Sequence, residues 1–334
     1  MKRILLTVLA LCILSASKPA PLYDVILDTD TNNELDDQHA LAYLLMNPET
    51  FRTVGVTTNN THNGDGIAGQ TLEARRVISL VGKFGKGIVL KPGAEADFET
   101  IRPTVADPSF DGHEAVDFII EKARGYSSAK PLVVIAVGKL TNIALVALKA
   151  PEVLPNIRLV WLGSNYPLPG EYNLKDDIPS MNYLLDTDVR MEIVTVRARN
   201  SNGTGSVTVS RDFVIQNFAG KGPRITRMKD LVEGRHGGLF ACFGDYSVSL
   251  FNHIKLRQGG RALYDLCAVA IVKNPAWAKT VEIPAPTMID GKWVDRPENP
   301  RKILIWEDFD RDGIVGDFTS TLARTTPKNN RIER

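Results

Sequence analysis

Short β-branched apolar runs alternate with longer amphipathic stretches along most of this chain. YDVIL (23–27) precedes DDQHALAYLLM (36–46), and TVGVTT (53–58) precedes AGQTLEARRVISLVG (68–82). PLVVIAV (131–137) precedes LTNIALVALKA (140–150), and IRLVWLG (157–163) precedes MNYLLDTDVRM (181–191), with EIVTV (192–196) after it. A period near two followed by a period near 3.6 is the pattern of βαβ units, and their repetition predicts a mostly parallel sheet. The stretch 200–260 is less regular. NSNGTGS (200–206) reads as a loop, and RHGGLFACFGDYS (235–247) has no clear period. AVAIVKNP (268–275) returns to helix and KTVEIPAP (279–286) to strand. No repeat or low-complexity linker divides the chain. The expectation is a single α/β domain, a mostly parallel central sheet flanked by helices, with a helical insertion before Tyr264.

The first residues change that picture only at the edge. Lys2 and Arg3 precede an apolar run from Ile4 to Leu14, too short to span a bilayer comfortably, and Ser15, Ala16 and Ser17 are small. This is the layout of a secretory signal peptide over 1–17, leaving 18–334 as the mature domain and an exported, periplasmic or extracellular protein with no stable membrane insertion after cleavage. Leu11 before Cys12 argues against lipidation. Cys242 and Cys267 are too few for a disulfide framework, and Cys267 sits in an apolar helical pattern as a buried thiol. The 40 basic and 39 acidic residues nearly cancel, so no bulk field recruits a nucleic-acid polymer or an anionic membrane.

One local charge pattern stands out against that balance. DTDTNNELDDQHALAYLL begins where the first apolar run ends, and Asp28, Asp30, Glu34, Asp36 and Asp37 fall within it. In parallel α/β sheets ligands bind at the carboxyl ends of strands, where Asp28 and Asp30 lie. Asp36 and Asp37 open the first helix, where the dipole favours acids by about 0.3–1 kcal/mol each. That is too little to explain the density. A bound cation explains it, and carboxylate oxygens suit Ca²⁺ or Mg²⁺. A solvated acidic turn is the plainer reading of the cluster. VILDTDT also fits the opening of haloacid-dehalogenase-like phosphatases, with Asp28 as nucleophile, but that pattern leaves Asp36 and Asp37 unexplained. His39, one step into an apolar helix, reads as structural.

An apolar strand, Asp-x-Asp, a loop, Asp-Asp and an apolar helix resembles the opening of the inosine/uridine-preferring nucleoside hydrolases. Further segments agree in order: VGVTTNN (54–60), VIAVGKLTNIALVALKAPEV (134–153), VWLGSNYPLPGEYNLKDDIPSMNYLLDTD (160–188) and LYDLCAVAIVKNP (263–275). The resemblance implies a nucleoside-hydrolase-like fold with a Rossmann-like core, a Ca²⁺ ion and cleavage of nucleosides or related ribosides to ribose and free base. It implies Asp30, Asp37, Asp265 and the Val137 carbonyl as metal ligands, with Asp30 also the base toward the attacking water. Asp36 is expected to face the ribose hydroxyls and Asp28 to support from behind; Asn142 supports its turn. Asn173 and Asn182 are expected at the ribose, together with one residue of the 59–63 loop, Asn63 first, then Asn60, with His62 also in reach. The resemblance also implies a homo-oligomer.

The chain departs from the pattern at three places. Thr31 to Leu35 make the opening turn longer than the usual family form. Tyr264 stands where much of the family has His as leaving-group acid, so Tyr264 is the expected donor and His113 its alternative. Ser180 stands where an acid is expected, with Glu171, Asp176 and Asp177 nearby to compensate. These departures keep open a non-catalytic, Ca²⁺-containing riboside-binding protein. DFDRDGIVGDF (308–318) lacks the acid an EF-hand wants at Thr319 and reads as a solvated turn before a short helix.

Overall fold

The structure is a computed structural model that describes residues 21–198, 200–256 and 260–328. The proposed signal segment 1–17 and Cys12 lie outside the described residues. The expected strands form: β1 (Tyr23–Thr29), β2 (Phe51–Thr58), β3 (Leu90–Lys91), β4 (Leu132–Ala136), β5 (Ile157–Leu162) and β6 (Arg190–Val194). With Lys302–Glu307 and Lys279–Pro284 they build one eight-stranded sheet. Its order is β3-β2-β1-β4-β5-β6, then Lys302–Glu307 and Lys279–Pro284. All neighbours run parallel except the last pair, where Lys279–Pro284 lies antiparallel on the edge.

Both faces of this sheet are covered, so its strands are apolar on both sides. Val25 and Leu27 of β1 belong to one core and Ile26 to the other; Val133 and Ile135 of β4 alternate in the same way with Leu132, Val134 and Ala136. The first face carries α1 (Asp36–Leu45), α2 (Gly66–Leu80), α8 (Arg211–Phe218), α9 (Phe243–His253), α10 (Tyr264–Lys273) and α11 (Arg311–Thr325). The second carries α3 (Phe98–Ile101), α4 (His113–Ala123), α5 (Thr141–Lys149), α6 (Tyr172–Asp176) and α7 (Ile178–Leu185). Among the described residues no helix is long and apolar enough to cross a membrane.

The irregular stretch resolves into the expected helical insertion, α8 and α9. Its patternless part is a small hairpin, Val232–Glu233 against Leu239–Phe240, with Gly237 and Gly238 at φ 79° and 83° in the turn. Those angles suit glycine because a Cβ would be strained there. The DFDRDG turn behaves as expected: Asp310 caps α11 by accepting from the Gly313 N–H at 3.0 Å. The helix that follows is not short but 15 residues long. Its apolar stripe, Ile314, Val315, Phe318 and Leu322, packs into the core and outweighs the low helix propensity of Gly313 and Gly316. Cys242 and Cys267 are free, buried thiols.

The chain leaves β1 toward β2 and β3 on one side, then crosses to β4, β5 and β6 on the other. The two halves of the sheet therefore part between β1 and β4. The crevice beyond the strand ends at such a switch point is where α/β proteins bind ligands.

Candidate active site

Asp30 follows the last residue of β1 and Val137 the last residue of β4, so both stand at the switch point. A tight turn, closed by the Asn33 N–H to the Asp30 carbonyl at 2.8 Å, brings the chain from Asp30 into α1. The turn is tied to α2 through the Asn32 N–H, which donates to Gln70 Oε1 at 2.5 Å. Helices α1 and α10 pack side by side. Asp36 and Asp37 lie in the first turn of one, and Asp265 in the first turn of the other. Their apolar bodies, including Leu41, Leu44, Val269 and Ile271, are fully buried, and that burial drives the acidic ends together.

The result is a cluster of like charges taken out of water. One ligand atom each from Asp36, Asp37 and Asp265 lie within 4.8 Å of one another. Burial, then the neighbouring Asp37 charge, raises the Asp30 carboxyl well above its usual range, and burial with Asp36, Asp37 and Asp30 does the same to Asp265. Burial pushes Asp36 to about 7 and Asp37 to about 6, the latter held down by the Thr29 hydroxyl, which donates to its Oδ1 at 2.6 Å. Among the described residues, Arg261 is the cation that pairs at the cluster. It pairs with Glu34, stands 3.6 Å from Asp36 and lies 5.3 Å over the Tyr264 ring. One partly shared guanidinium does not compensate four buried carboxyls. The donors are oxygens throughout, and Val137 lines the same cavity, so the group fits a hard metal ion.

These residues wall a cavity of about 200 Å³, completed by Asn33, Glu34, Asn165, Glu171, Tyr172, Asn173 and Tyr264. Asn173 spans two strand ends: its Nδ2 donates to the Val137 and Leu162 carbonyls, both at 3.0 Å. Glu171, two residues earlier, is held by the backbone N–H groups of Ser164, Asn173 and Leu174. Burial nevertheless raises its carboxyl above the usual range. Behind the cavity, Asp28 accepts from Thr57, Asn59 and Asn142 at 3.0–3.3 Å, and burial pushes it to about 6.

Comparison with known proteins places this arrangement. The family model for inosine-uridine preferring nucleoside hydrolase matches residues 25–315. The chain belongs to this family. It is 25% identical over 276 residues to the non-specific ribonucleoside hydrolase RihC of Salmonella agona, covering 75% of this chain and 78% of that protein. Among solved structures, a plant nucleoside hydrolase aligns with a TM-score of 0.68 at 15% identity, over 92% of this chain and 100% of the other. A purine-preferring ribonucleoside hydrolase from Gardnerella vaginalis gives 0.67 at 18% identity, over 91% and 99%. These structural likenesses carry the fold, a single α/β domain. For a nucleoside hydrolase the phosphatase alternative falls away, and the geometry agrees. Asp28 is fully buried, engaged by three donors and absent from the cavity wall, so it is no nucleophile.

Within this nucleoside hydrolase, Asp30, Asp36, Asp37, Val137, Asn173, Tyr264 and Asp265 all meet at one cavity. Asp36 sits inside the tight carboxylate group rather than apart from it. Asn182 is a correction: it faces away on α7, where its Nδ2 donates to the Met288 carbonyl and its Oδ1 accepts the Met288 N–H, fixing the Thr287–Ile289 strand. Neither Asn60 nor Asn63 lines the cavity. Asn60 turns to Glu95 at 2.8 Å, and Asn63 is exposed. The loop asparagine that points inward is Asn59, through Asp28. Ser180 bonds the Asp177 carbonyl, and Asp177 caps α7, so neither faces the cavity; of the expected compensating acids, Glu171, two positions before Asn173, lines it. His113 bonds the Phe110 carbonyl at the start of α4, off the cavity. His39 is buried and structural, as expected. Arg261, Glu34 and Tyr172 were not among the expected site residues.

Proposed function

We propose that this nucleoside hydrolase cleaves the N-glycosidic bond of ribonucleosides or closely related ribosides, with Ca²⁺ as its resident ion. The observation that carries this reading is the meeting of Asp30, Asp36, Asp37 and Asp265 with Glu171 and Asn173 in one cavity at the sheet's switch point. Asp36, Asp37 and Asp265, whose ligand atoms cluster, would hold the ion, with Asp30 and the Val137 carbonyl as the further oxygen donors that the family resemblance implies. When bound, it would acidify and orient a water and grip the ribose diol.

The chain's own groups do the rest. Asp30, on the cavity wall, accepts a proton from the attacking water. The water oxygen bonds to the anomeric carbon as the C–N bond breaks, and its electron pair leaves with the base. Positive charge grows on the ribose ring in between. The ring of carboxylates and the amide oxygen of Asn173 face that charge in a water-poor site, where such fixed groups act most strongly. Glu171 and Asn173 meet the sugar hydroxyls. Tyr172 and Tyr264 both bring a phenol to the wall, so the leaving base meets hydroxyl donors. The reading 1–17 as a signal segment adds that the enzyme acts after export.

The test is release of reducing ribose from inosine, uridine, adenosine and cytidine by protein stripped with a calcium chelator and then reloaded with Ca²⁺ or Mg²⁺. Ca²⁺-restored turnover on at least one nucleoside is expected. Ribosides that bind calorimetrically with no ribose released would make the protein a binding module instead.

A further inference from the structure

Arg261 approaches the acidic group from outside the cavity wall. Gly260–Ala262 pairs antiparallel with Thr208–Ser210, Arg261 opposite Val209, and the chain then enters α10 with Tyr264 and Asp265. The guanidinium lies 5.3 Å over the Tyr264 ring, 3.6 Å from Asp36 Oδ1 and against the Glu34 carboxylate. The side chains of Arg261 and Asp36 are 9% and 6% exposed, that of Glu34 46%. Glu34, Asp36, Tyr264 and Asp265 line the cavity, and Arg261 does not. Its positive charge therefore acts on the carboxylates without meeting the substrate.

A buried ion pair is a weak source of net stability, and this one is poorly made. The Asp36 contact is longer than a hydrogen bond, and the buried Arg261 Nε has no hydrogen-bond partner among the described residues. Its electrostatic effect on the metal group is the larger consequence. Calcium affinity follows the charge of the ligand set. A fixed charge within about 4–6 Å of a carboxylate changes that group's ionic equilibria by about one to three powers of ten. We infer that Arg261 is a built-in competitor of the metal, weakening Ca²⁺ binding at Asp36, Asp37 and Asp265, and that Glu34 sets by how much. The inference rests on the reading of Ca²⁺ as the resident ion.

The guanidinium and the ion act on the same carboxylate. Without the ion, Arg261 offsets part of the repulsion within the acidic group. With the ion bound, two positive charges share Asp36 and oppose each other. Glu34 moderates this, because it pairs with the same guanidinium and neutralises part of its charge. Glu34 belongs to the lengthened opening turn, and Arg235 Nη1 donates to its carbonyl at 3.2 Å. The extra residues of that turn thus bring a carboxylate to Arg261. Removing the guanidinium must then loosen the chelated protein and tighten the metal site, two effects of opposite sign that a merely structural residue would not produce together.

Calorimetric titration of Ca²⁺ into chelator-stripped protein at neutral pH reads the affinity directly. Arg261→Met, uncharged and similar in length, should bind Ca²⁺ about tenfold or more tightly than wild type. Its chelated form should melt at a lower temperature, because the carboxylates lose their partner. Arg261→Lys keeps the charge and should bind nearer to wild type than Arg261→Met does. Glu34→Gln releases the guanidinium charge and should weaken binding by about threefold, the scale of a half-exposed ion pair. In an Arg261→Met background the same change should lose most of its effect. Circular dichroism of each Ca²⁺-loaded variant shows which of them fold. A folded Arg261→Met that binds Ca²⁺ as wild type does, or more weakly, overturns the inference alone. So does a Glu34→Gln that binds as tightly as wild type or more so, which decides the matter even where Arg261→Met does not fold. Wild-type protein that takes up no Ca²⁺ overturns the resident-ion reading and the inference with it.

Discussion

His39 anchors the helix that carries Asp36 and Asp37, and acid should loosen that anchor by a calculable amount. The side chain is fully buried, with Nδ1 2.6 Å from the Leu35 carbonyl and Nε2 2.7 Å from the Ser247 hydroxyl. Phe218, Phe243, Phe251 and Phe318 surround the ring at 5.2–6.3 Å. Burial among them lowers its pKa from 6.5 to about 4. Below 6.5 the unfolded chain therefore binds a proton that the folded chain refuses until about pH 4. Stability from this group is intact above 6.5 and is lost as pH falls toward 4. Each pKa unit is worth about 1.4 kcal/mol, so the full loss is about 3 kcal/mol, of which about 2 kcal/mol falls between pH 7 and 4.5. The buried carboxyls pull the other way over the same range, so the quantity to read is a difference. Urea unfolding of wild type and His39→Leu, in chelator at pH 7, 5.5 and 4.5, supplies it, because the fixed packing cost of the substitution cancels. Wild type should lose about 2 kcal/mol relative to the variant on going to pH 4.5. A difference that stays flat with pH would mean that His39 takes up its proton inside the fold, and would refute the reasoning.

Other consequences follow from the same geometry. Asp30→Asn should cut ribose release by orders of magnitude, because it removes the base and weakens the metal group; near-normal turnover would refute the assignment. With metal chelated, the buried carboxyls Asp28, Asp36 and Asp37, raised from 3.8 to about 6, 7 and 6, bind protons more tightly folded than unfolded. Their contribution therefore weakens as pH rises from about 4 to 7, and added Ca²⁺ should restore Tm most at the upper end of that range. Asn173→Ala leaves the Val137 and Leu162 carbonyls without their donor and should cost about 1–3 kcal/mol by urea unfolding as well as lowering kcat/KM. Asn182→Ala should lower Tm through the freed Thr287–Ile289 strand while leaving kcat/KM on nucleosides unchanged.

Much of this site could be read from the chain because its parts are marked by abrupt changes of pattern. An apolar strand that ends in Asp28-Thr29-Asp30, and two apolar helices that open on Asp36-Asp37 and Tyr264-Asp265, are local features, and the sheet forces their ends together. The alternation of apolar runs was enough for the fold class because both faces of the parallel sheet are buried. Asn182 was misplaced because its distance along the chain says nothing about rotation on α7. It lies beyond Asp177 and Ser180, whose mutual bonds start that helix and turn Asn182 outward. Glu171 carried a usable signal, an acid two positions before Asn173, but no periodic element surrounds it. Arg261 on Glu34, and His62 on Tyr172, are contacts between loops far apart in sequence. Nothing in the charge pattern of either partner foretold them.

The pairing of α1 with α10 also has a meaning for how the chain comes together. Asp36 and Asp37 are made early in synthesis and Asp265 late, so the acidic pocket joins segments at opposite ends of the sequence. Such a long-range junction is reached only after the intervening loop has been closed, an entropic cost that comes before any reward. In this chain the reward is at first negative, since the last carboxylate arrives against three others. A cation that binds all four converts that repulsion into a clasp across the fold. The ion would then be a condition of maturation as much as of turnover, and its concentration where the chain folds would decide how many molecules close.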